Sequence, residues 1–95
     1  SLTTSPDNLA AIEIDSKDRA IRVPKGKVVE GDLVVRGGEV EVYGKVTGNV
    51  VAVDGDVVAA STADIYGKSE EIDQVLDRIW FEVEQFFDKM IHFEE

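Results

Sequence analysis

The chain has 95 residues, no cysteine, one histidine and a formal net charge of −10. Its length favours a single domain, because two separate cores of this size would be too small to be stable alone. The missing cysteines exclude disulfides and thiolate metal sites, and a single histidine excludes a His-based metal cluster or a serine-type triad. The acidic balance opposes nucleic-acid binding, because the chain would repel phosphates. No apolar run is long enough to span a membrane.

The first eight residues are small, polar and turn-prone, and they predict a disordered lead-in. Ser1 and Leu2 begin the sequence without an initiator methionine, which predicts a cloning remnant and a chain cut from a larger protein. A single domain is expected over residues 9–95. Within it, residues 11–14 and 20–23 alternate apolar and polar side chains, as in a pair of short strands joined by a polar turn.

An internal repeat with a period of 17 residues follows, in which residues 29–44 recur as 46–61. A third, partial copy is visible at 65–67. The matching positions are mostly valines and glycines. Identical pairs are Val29/Val46, Gly31/Gly48, Val34/Val51, Gly38/Gly55 and Val40/Val57, and similar pairs are Asp32/Asn49, Leu33/Val50 and Glu39/Asp56.

Each copy contains two short β-branched runs separated by glycine-containing corners, and one copy cannot bury its apolar face alone. We therefore expect an α+β fold: a small β-solenoid-like stack over about residues 11–67, with glycines supplying positive φ at the corners. The alternative is an antiparallel meander with hairpin turns at Gly37-Gly38 and Asp54-Gly55, which are both good turn dipeptides.

The last segment changes to helical periodicity and predicts one long amphipathic helix over about residues 70–92. At about 1.5 Å per residue it would extend past a stack of four strands, so its apolar end should meet another chain or a missing part of the parent protein. Phe81 points away from the apolar stripe and is a further candidate contact. The candidate partner or oligomer contacts are Phe81, Phe86, Phe87, Met90, Ile91 and Phe93.

Little in the sequence indicates catalysis. Paired carboxylates such as Asp54/Asp56 and Glu39/Glu41 are interpreted as a solvated outer face, since their spacing matches no calcium-binding loop. No nucleophile–base pair, metal set or phosphate-binding motif supports an enzyme, so no catalytic, cofactor or metal site is predicted. The small residues 59–63, AASTA, interrupt the β-branched pattern. They fit either a loose corner or the narrow subsites of a protease.

Three stretches together carry a family resemblance. Residues 21–32 (IRVPKGKVVEGD), 44–50 (GKVTGNV) and 67–74 (GKSEEIDQ) resemble the extracytoplasmic domain of RsiW-type anti-sigma-W factors. The resemblance covers about residues 9–90. The shorter stretch 42–50, VYGKVTGNV, is also similar to bactofilins, which are polymer-forming β-helical proteins.

The first resemblance implies a regulator rather than an enzyme. Members are single-pass membrane proteins of Gram-positive bacteria whose cytoplasmic zinc-binding domain holds a sigma factor inactive. Envelope stress leads a membrane-embedded site-1 protease to cut the outer domain, and regulated intramembrane proteolysis then releases the sigma factor. The resemblance implies that the first cut falls within the small residues 59–62, most nearly between Ala60 and Ser61. The chain would face the protease outside the cell membrane and would reach the sigma factor only through the missing cytoplasmic domain. The bactofilin likeness implies the alternative function, a structural polymer-forming module.

Overall fold

The computed structural model describes residues 2–72 and 91–93. These residues form short strands and one 3-10 helix at Pro6–Ala11. The strands are β1 Leu2–Thr4, β2 Glu13–Asp15, β3 Ala20–Val23, β4 Val28–Val29, β5 Leu33–Arg36, β6 Glu39–Val42, β7 Lys45–Val46, β8 Val50–Val53, β9 Val57–Ala59, β10 Asp64–Ile65, β11 Ser69–Ile72 and β12 Ile91–Phe93.

The strands are arranged in three sheets. The five-stranded sheet has the order β11-β8-β5-β1-β12, the four-stranded sheet β2-β3-β6-β9 and the three-stranded sheet β10-β7-β4. Strands of successive repeats pair in parallel, so that Val34 lies opposite Val51 and Val40 opposite Val57. The antiparallel meander is not formed, because the strands that flank Gly37-Gly38 belong to different sheets.

The predicted fold class is wrong. The described residues form three sheets rather than a closed solenoid, and these residues contain no long C-terminal helix. Both ends of the predicted helix, 70–92, are strands: β11 pairs residue for residue with β8, and β12 pairs with β1. Residues 73–90 of that prediction lie outside the described residues. The backbone pairing of β11 continues the repeat, and such tertiary pairing overrides a modest helical preference.

The disordered lead-in predicted for residues 1–8 also differs from the structure over residues 2–8. Strand β1 pairs antiparallel with both β5 and β12, and Leu2 is fully buried. Asn8 is buried in the 3-10 helix and donates to the Glu30 carbonyl at 2.8 Å, while its own Oδ1 accepts from the Glu30 amide at 2.8 Å. Local composition missed this order because the partners are distant in sequence.

The apolar core draws on residues of all three sheets, and most of its members are the valines of the repeat. It comprises Leu2, Ile21, Val23, Val29, Leu33, Val35, Val40, Val42, Val46, Val50 and Ala52.

The corner glycines serve two purposes. Gly31 has a φ of +87°, as the sequence predicted for a corner. Gly48 has another role, since a Cβ there would collide with the Gly31 carbonyl and the Asp32 carboxylate of the preceding repeat. Close stacking of neighbouring repeats therefore requires glycine at this corner independently of φ.

Candidate cleavage site

The predicted cleavage position lies in the turn that joins β9 to β10. The amide of Ala63 donates to the carbonyl of Ala60 at 2.9 Å, which closes a four-residue turn with Ser61 and Thr62 at its two central positions. Ser61 and Thr62 are exposed, whereas Ala60 is half-buried. The bond between Ala60 and Ser61 thus enters an exposed turn directly after a strand.

Two hydrogen bonds hold this turn to the preceding repeat. The Ala60 amide donates to the Val42 carbonyl at 2.9 Å, and the Thr62 hydroxyl donates to the Tyr43 carbonyl at 2.6 Å. One anchor lies on each side of Ser61. The turn is therefore fixed at both flanks while Ser61 itself projects to solvent.

An open groove of about 510 Å³ borders the turn on its Thr62 side. Lys45 lines the groove, and its ammonium lies 5.4 Å from the centre of the Tyr66 ring. A hydrogen bond with the Tyr66 side chain raises the pKa of Lys45. The groove residues are Lys25, Gly26, Lys27, Val28, Tyr43, Gly44, Lys45, Thr62 and Asp64. Space for a partner therefore exists beside the turn.

Burial falls sharply at the last repeat, to which the turn belongs. Val40 in β6 is fully buried, whereas Val57, its partner in β9, is only half-buried. Val58 is 47% exposed, and the next residue, Ala59, is exposed as well. Strands β9, β10 and β11 are each at one edge of their sheet. Less apolar burial means that this layer is held mainly by backbone hydrogen bonds.

A side-chain ladder connects the repeats at one corner and ends in this layer. Oδ1 of Asp32 accepts from the Asn49 amide at 2.6 Å, and Oδ1 of Asn49 accepts from the Lys68 amide at 2.8 Å. The Asp32/Asn49 similarity in the sequence repeat thus reflects a shared acceptor role. Each acceptor fixes the corner that follows one repeat later.

A charged cluster occupies the outer face of the four-stranded sheet beside β9. Nε of Arg22 donates to Oε1 of Glu41 at 2.9 Å, and the Tyr43 hydroxyl donates to the same oxygen at 3.0 Å. Partial desolvation opposes ionisation of Glu41, but these hydrogen bonds outweigh it and lower the pKa of Glu41. The pKa of Glu39 is raised, first by its hydrogen bond with Glu41, then by desolvation and by the charges of Glu41 and Asp56.

The other predicted contact residues are not brought to this site by the described structure. Phe81, Phe86, Phe87 and Met90 lie outside the described residues. Ile91 and Phe93 belong to β12, where their backbones pair with Thr4 and Leu2 at the opposite edge of the five-stranded sheet. Sequence reasoning missed the anchors of the cleavage turn, because the Tyr43 carbonyl and the Thr62 hydroxyl carry no sequence signature.

The parts of the chain that the structure describes contain no group of three or more potential metal ligands and no helix with the length and hydropathy to cross a bilayer.

Comparison with known proteins gives one consistent result. Anti-sigma-W factor RsiW of Halalkalibacterium halodurans is 40% identical over 80 residues, covering 84% of this chain and 38% of that protein. The chain is related to part of anti-sigma-W factor RsiW. RsiW of Geobacillus kaustophilus is 37% identical over 75 residues, with 79% and 37% covered, and RsiW of Bacillus subtilis is 35% identical over 66 residues, with 70% and 32% covered.

The chain spans less than two fifths of the length of these RsiW relatives. No protein-family model matches the chain, and no solved structure matches it at a significant level. The likeness to RsiW agrees with the family resemblance of the sequence motifs, whereas the bactofilin-like core is not confirmed by any of these comparisons.

Proposed function

We propose that this chain is the extracytoplasmic, protease-facing part of a membrane-anchored anti-sigma factor of the RsiW type. Under this proposal, a membrane-embedded site-1 protease cuts the bond between Ala60 and Ser61 during envelope stress. Regulated intramembrane proteolysis of the remaining anchor then frees the sigma factor, which the cytoplasmic part of the protein binds. The similarity to RsiW over most of the chain supports the family, and the geometry of the turn supports the position of the cut.

The observation that carries the cleavage site is the placement of Ala60-Ser61 in an exposed turn of the least buried repeat. Hydrolysis adds a hydroxyl to the carbonyl carbon of Ala60 and a proton to the nitrogen of Ser61. The small side chains on both sides fit narrow protease subsites. A turn at an edge of the fold reaches an active site after local opening, which costs far less free energy than global unfolding.

The anchors of the turn explain how an intact domain resists this cut. An extended substrate must leave the turn, so the bonds from Ala60 to Val42 and from Thr62 to Tyr43 have to break first. Each hydrogen bond contributes about 1 kcal/mol net, and together they lower the opened population by roughly 30-fold. The proposal therefore makes cleavage sensitive to conditions that loosen the last repeat.

The substitution Ser61→Pro tests the site. Proline is favoured at the second position of such a turn, so the fold should tolerate it, whereas a protease rarely hydrolyses the bond before proline. In cells that carry the membrane protein, we expect fragment release to fall at least tenfold on immunoblots. Sequencing of the wild-type fragment should give Ser61 as its first residue.

Ser16→Pro is the matched control, because Ser16 is an exposed serine in the turn between β2 and β3. This variant should be cut at the wild-type rate. A fragment that begins elsewhere, or unchanged release from Ser61→Pro, would refute the proposed cleavage site.

A further inference from the structure

The two edges of β9 are used differently. The carbonyl of Asp56 accepts from the Val40 amide at 2.8 Å, and the amide of Ala60 donates to Val42 at 2.9 Å. Because the backbone groups of alternate residues in a strand point to opposite edges, Val57 and Ala59 direct theirs away from β6. No described strand pairs with this outer edge, since β9 is the terminal strand of its sheet.

One donor on the outer edge is already occupied by a side chain. The Val57 amide donates to Oε2 of Glu71 at 2.8 Å. Glu71 lies in β11 of a different sheet, where its own backbone position pairs with Ala52, and its side chain is exposed. The carboxylate thus covers the outer edge of β9 only three residues before Ala60.

An uncovered strand edge is a template for an additional strand, and strand addition is a common way to bind an extended peptide. Resting on the function proposed above, we propose that the outer edge of β9 is the surface on which the protease docks a strand of its active-site cleft. We further propose that Glu71 is a removable cap on this edge. The partner is thus a protease that recognises backbone in extended conformation together with small side chains at the following turn.

The cap is well suited to compete with such a strand. A hydrogen bond to an ionised carboxylate is roughly twice as strong as one between neutral groups. The incoming strand must displace the Glu71 carboxylate from the Val57 amide before it can pair along the whole outer edge of β9. Because Glu71 is exposed and its backbone remains paired with β8, losing its side chain should free the edge and leave the fold intact.

The substitution Glu71→Ala removes the cap, and Glu71→Gln keeps an acceptor without the charge. We expect cleavage of the membrane protein in unstressed cells to rise about three- to tenfold in Glu71→Ala and by less in Glu71→Gln. The matched control is Glu70→Ala, since Glu70 is an exposed carboxylate on the other face of β11. It should leave the cleavage rate unchanged.

Amide hydrogen exchange on this chain supplies a readout independent of the protease. Glu71→Ala should speed exchange at Val57 at least threefold and leave the core amides of β5 and β8 unchanged, whereas Glu70→Ala should not alter Val57. Faster exchange at Val57 together with faster cleavage supports the inference. Faster exchange with an unchanged cleavage rate overturns the docking edge, and unchanged exchange overturns the cap.

These experiments distinguish a failure of the proposed cleavage site from a failure of the proposed docking edge. If Ser61→Pro blocks cleavage while Glu71→Ala does not accelerate it, the site stands and the docking edge is wrong. If the cut is mapped to another position, the proposed site is wrong, and the Val57 exchange rate still decides whether Glu71 caps the edge.

Discussion

The two ends of the repeat stack are built from the same parallel pairing but differ in what lies beyond it. At the first end, β1, β2 and the 3-10 helix flank the repeat strands, with Leu2 and Asn8 fully or almost fully buried. At the last end, β9, β10 and β11 are edge strands with largely exposed side chains. The two ends therefore share the same parallel backbone pairing between repeats, but the first end buries much more apolar surface than the last.

This difference teaches that register and stability are separable in this fold. Glycine corners and acceptor ladders fix the register of each repeat, whereas burial of valine, isoleucine and leucine side chains supplies most of the free energy that holds it. A repeat can thus be correctly placed and still open locally at small cost. The proposed cleavage turn lies in the described repeat that has the least apolar burial.

The largest expected effect comes from the buried end. Ile21 is fully buried and pairs with Val40, so Ile21→Ala should lower the free energy of unfolding by about 3 kcal/mol through lost burial and the cavity left behind. Chemical denaturation measures this loss. Val57→Ala, in the same column of the sheet but half-buried, should cost about 1 kcal/mol or less. Equal losses from the two variants would remove the contrast between the ends.

A slightly smaller effect is expected from the polar contacts of the same end. Asn8→Ala removes both hydrogen bonds to Glu30 and leaves the Glu30 amide without its partner, which should cost about 2 kcal/mol. Asp7→Ala is the control, since Asp7 is exposed in the same 3-10 helix and should change stability by less than about 0.5 kcal/mol. Thermal melting of both variants shows whether Asn8→Ala lowers the melting temperature more than Asp7→Ala does. Similar melting temperatures would show that Asn8 does not stabilise this end.

At the last end, a substitution can interrupt the corner ladder without disturbing the core. Asn49→Ala removes the acceptor of the Lys68 amide and should cost about 1 kcal/mol, seen as faster hydrogen exchange at Lys68 with little change in β5. Asn49→Asp keeps the acceptor and should preserve slow exchange. If Lys68 exchanged equally in both variants, the ladder would not hold the last repeat.

The smallest effect concerns pH. The pKa of Glu39 is raised in the folded state, which means that folding favours the protonated carboxyl group. The stabilisation from this group is therefore fully present below its ordinary pKa of 4.5 and is lost as the pH rises through the pKa of the folded state. Glu39→Gln should therefore increase stability at pH 7 by about 0.3 kcal/mol and lose this advantage below about pH 4.

Glu41→Gln should act in the opposite direction. The lowered pKa of Glu41 gives stability that is present above 4.5 and is lost as the pH falls through the folded value. Denaturation of both variants at pH 7 and pH 4 checks the signs. A stabilising Glu41→Gln at pH 7 would contradict the assigned hydrogen bonds from Arg22 and Tyr43.

The sequence predicted the parts of the fold that depend on its internal repeat. The 17-residue period placed Val34 opposite Val51 and Val40 opposite Val57, as in the structure. The strand pair near residues 11–23 was also confirmed in outline by β2 and β3. A structural repeat can be recognised in the sequence because side chains at equivalent positions must fit equivalent neighbours.

The errors have a common physical origin in non-local pairing. Helical spacing favoured a helix beginning near Glu70, but β11 is held by its register with β8, and polar composition at residues 1–8 concealed a strand that pairs with β5. The same limit applies to the site. Ala60-Ser61 was identified by resemblance, whereas the contact of Glu71 with Val57 joins two sheets and left no pattern in the sequence.

The corner ladder carries a consequence for how far this architecture can grow. Its successive positions are an aspartate, an asparagine and finally Lys68. A lysine side chain has donors but no acceptor, so it cannot receive the amide of another layer. A second molecule stacked on this end could not extend the ladder through the Lys68 side chain, so backbone pairing and apolar contacts would have to hold the added layer without it.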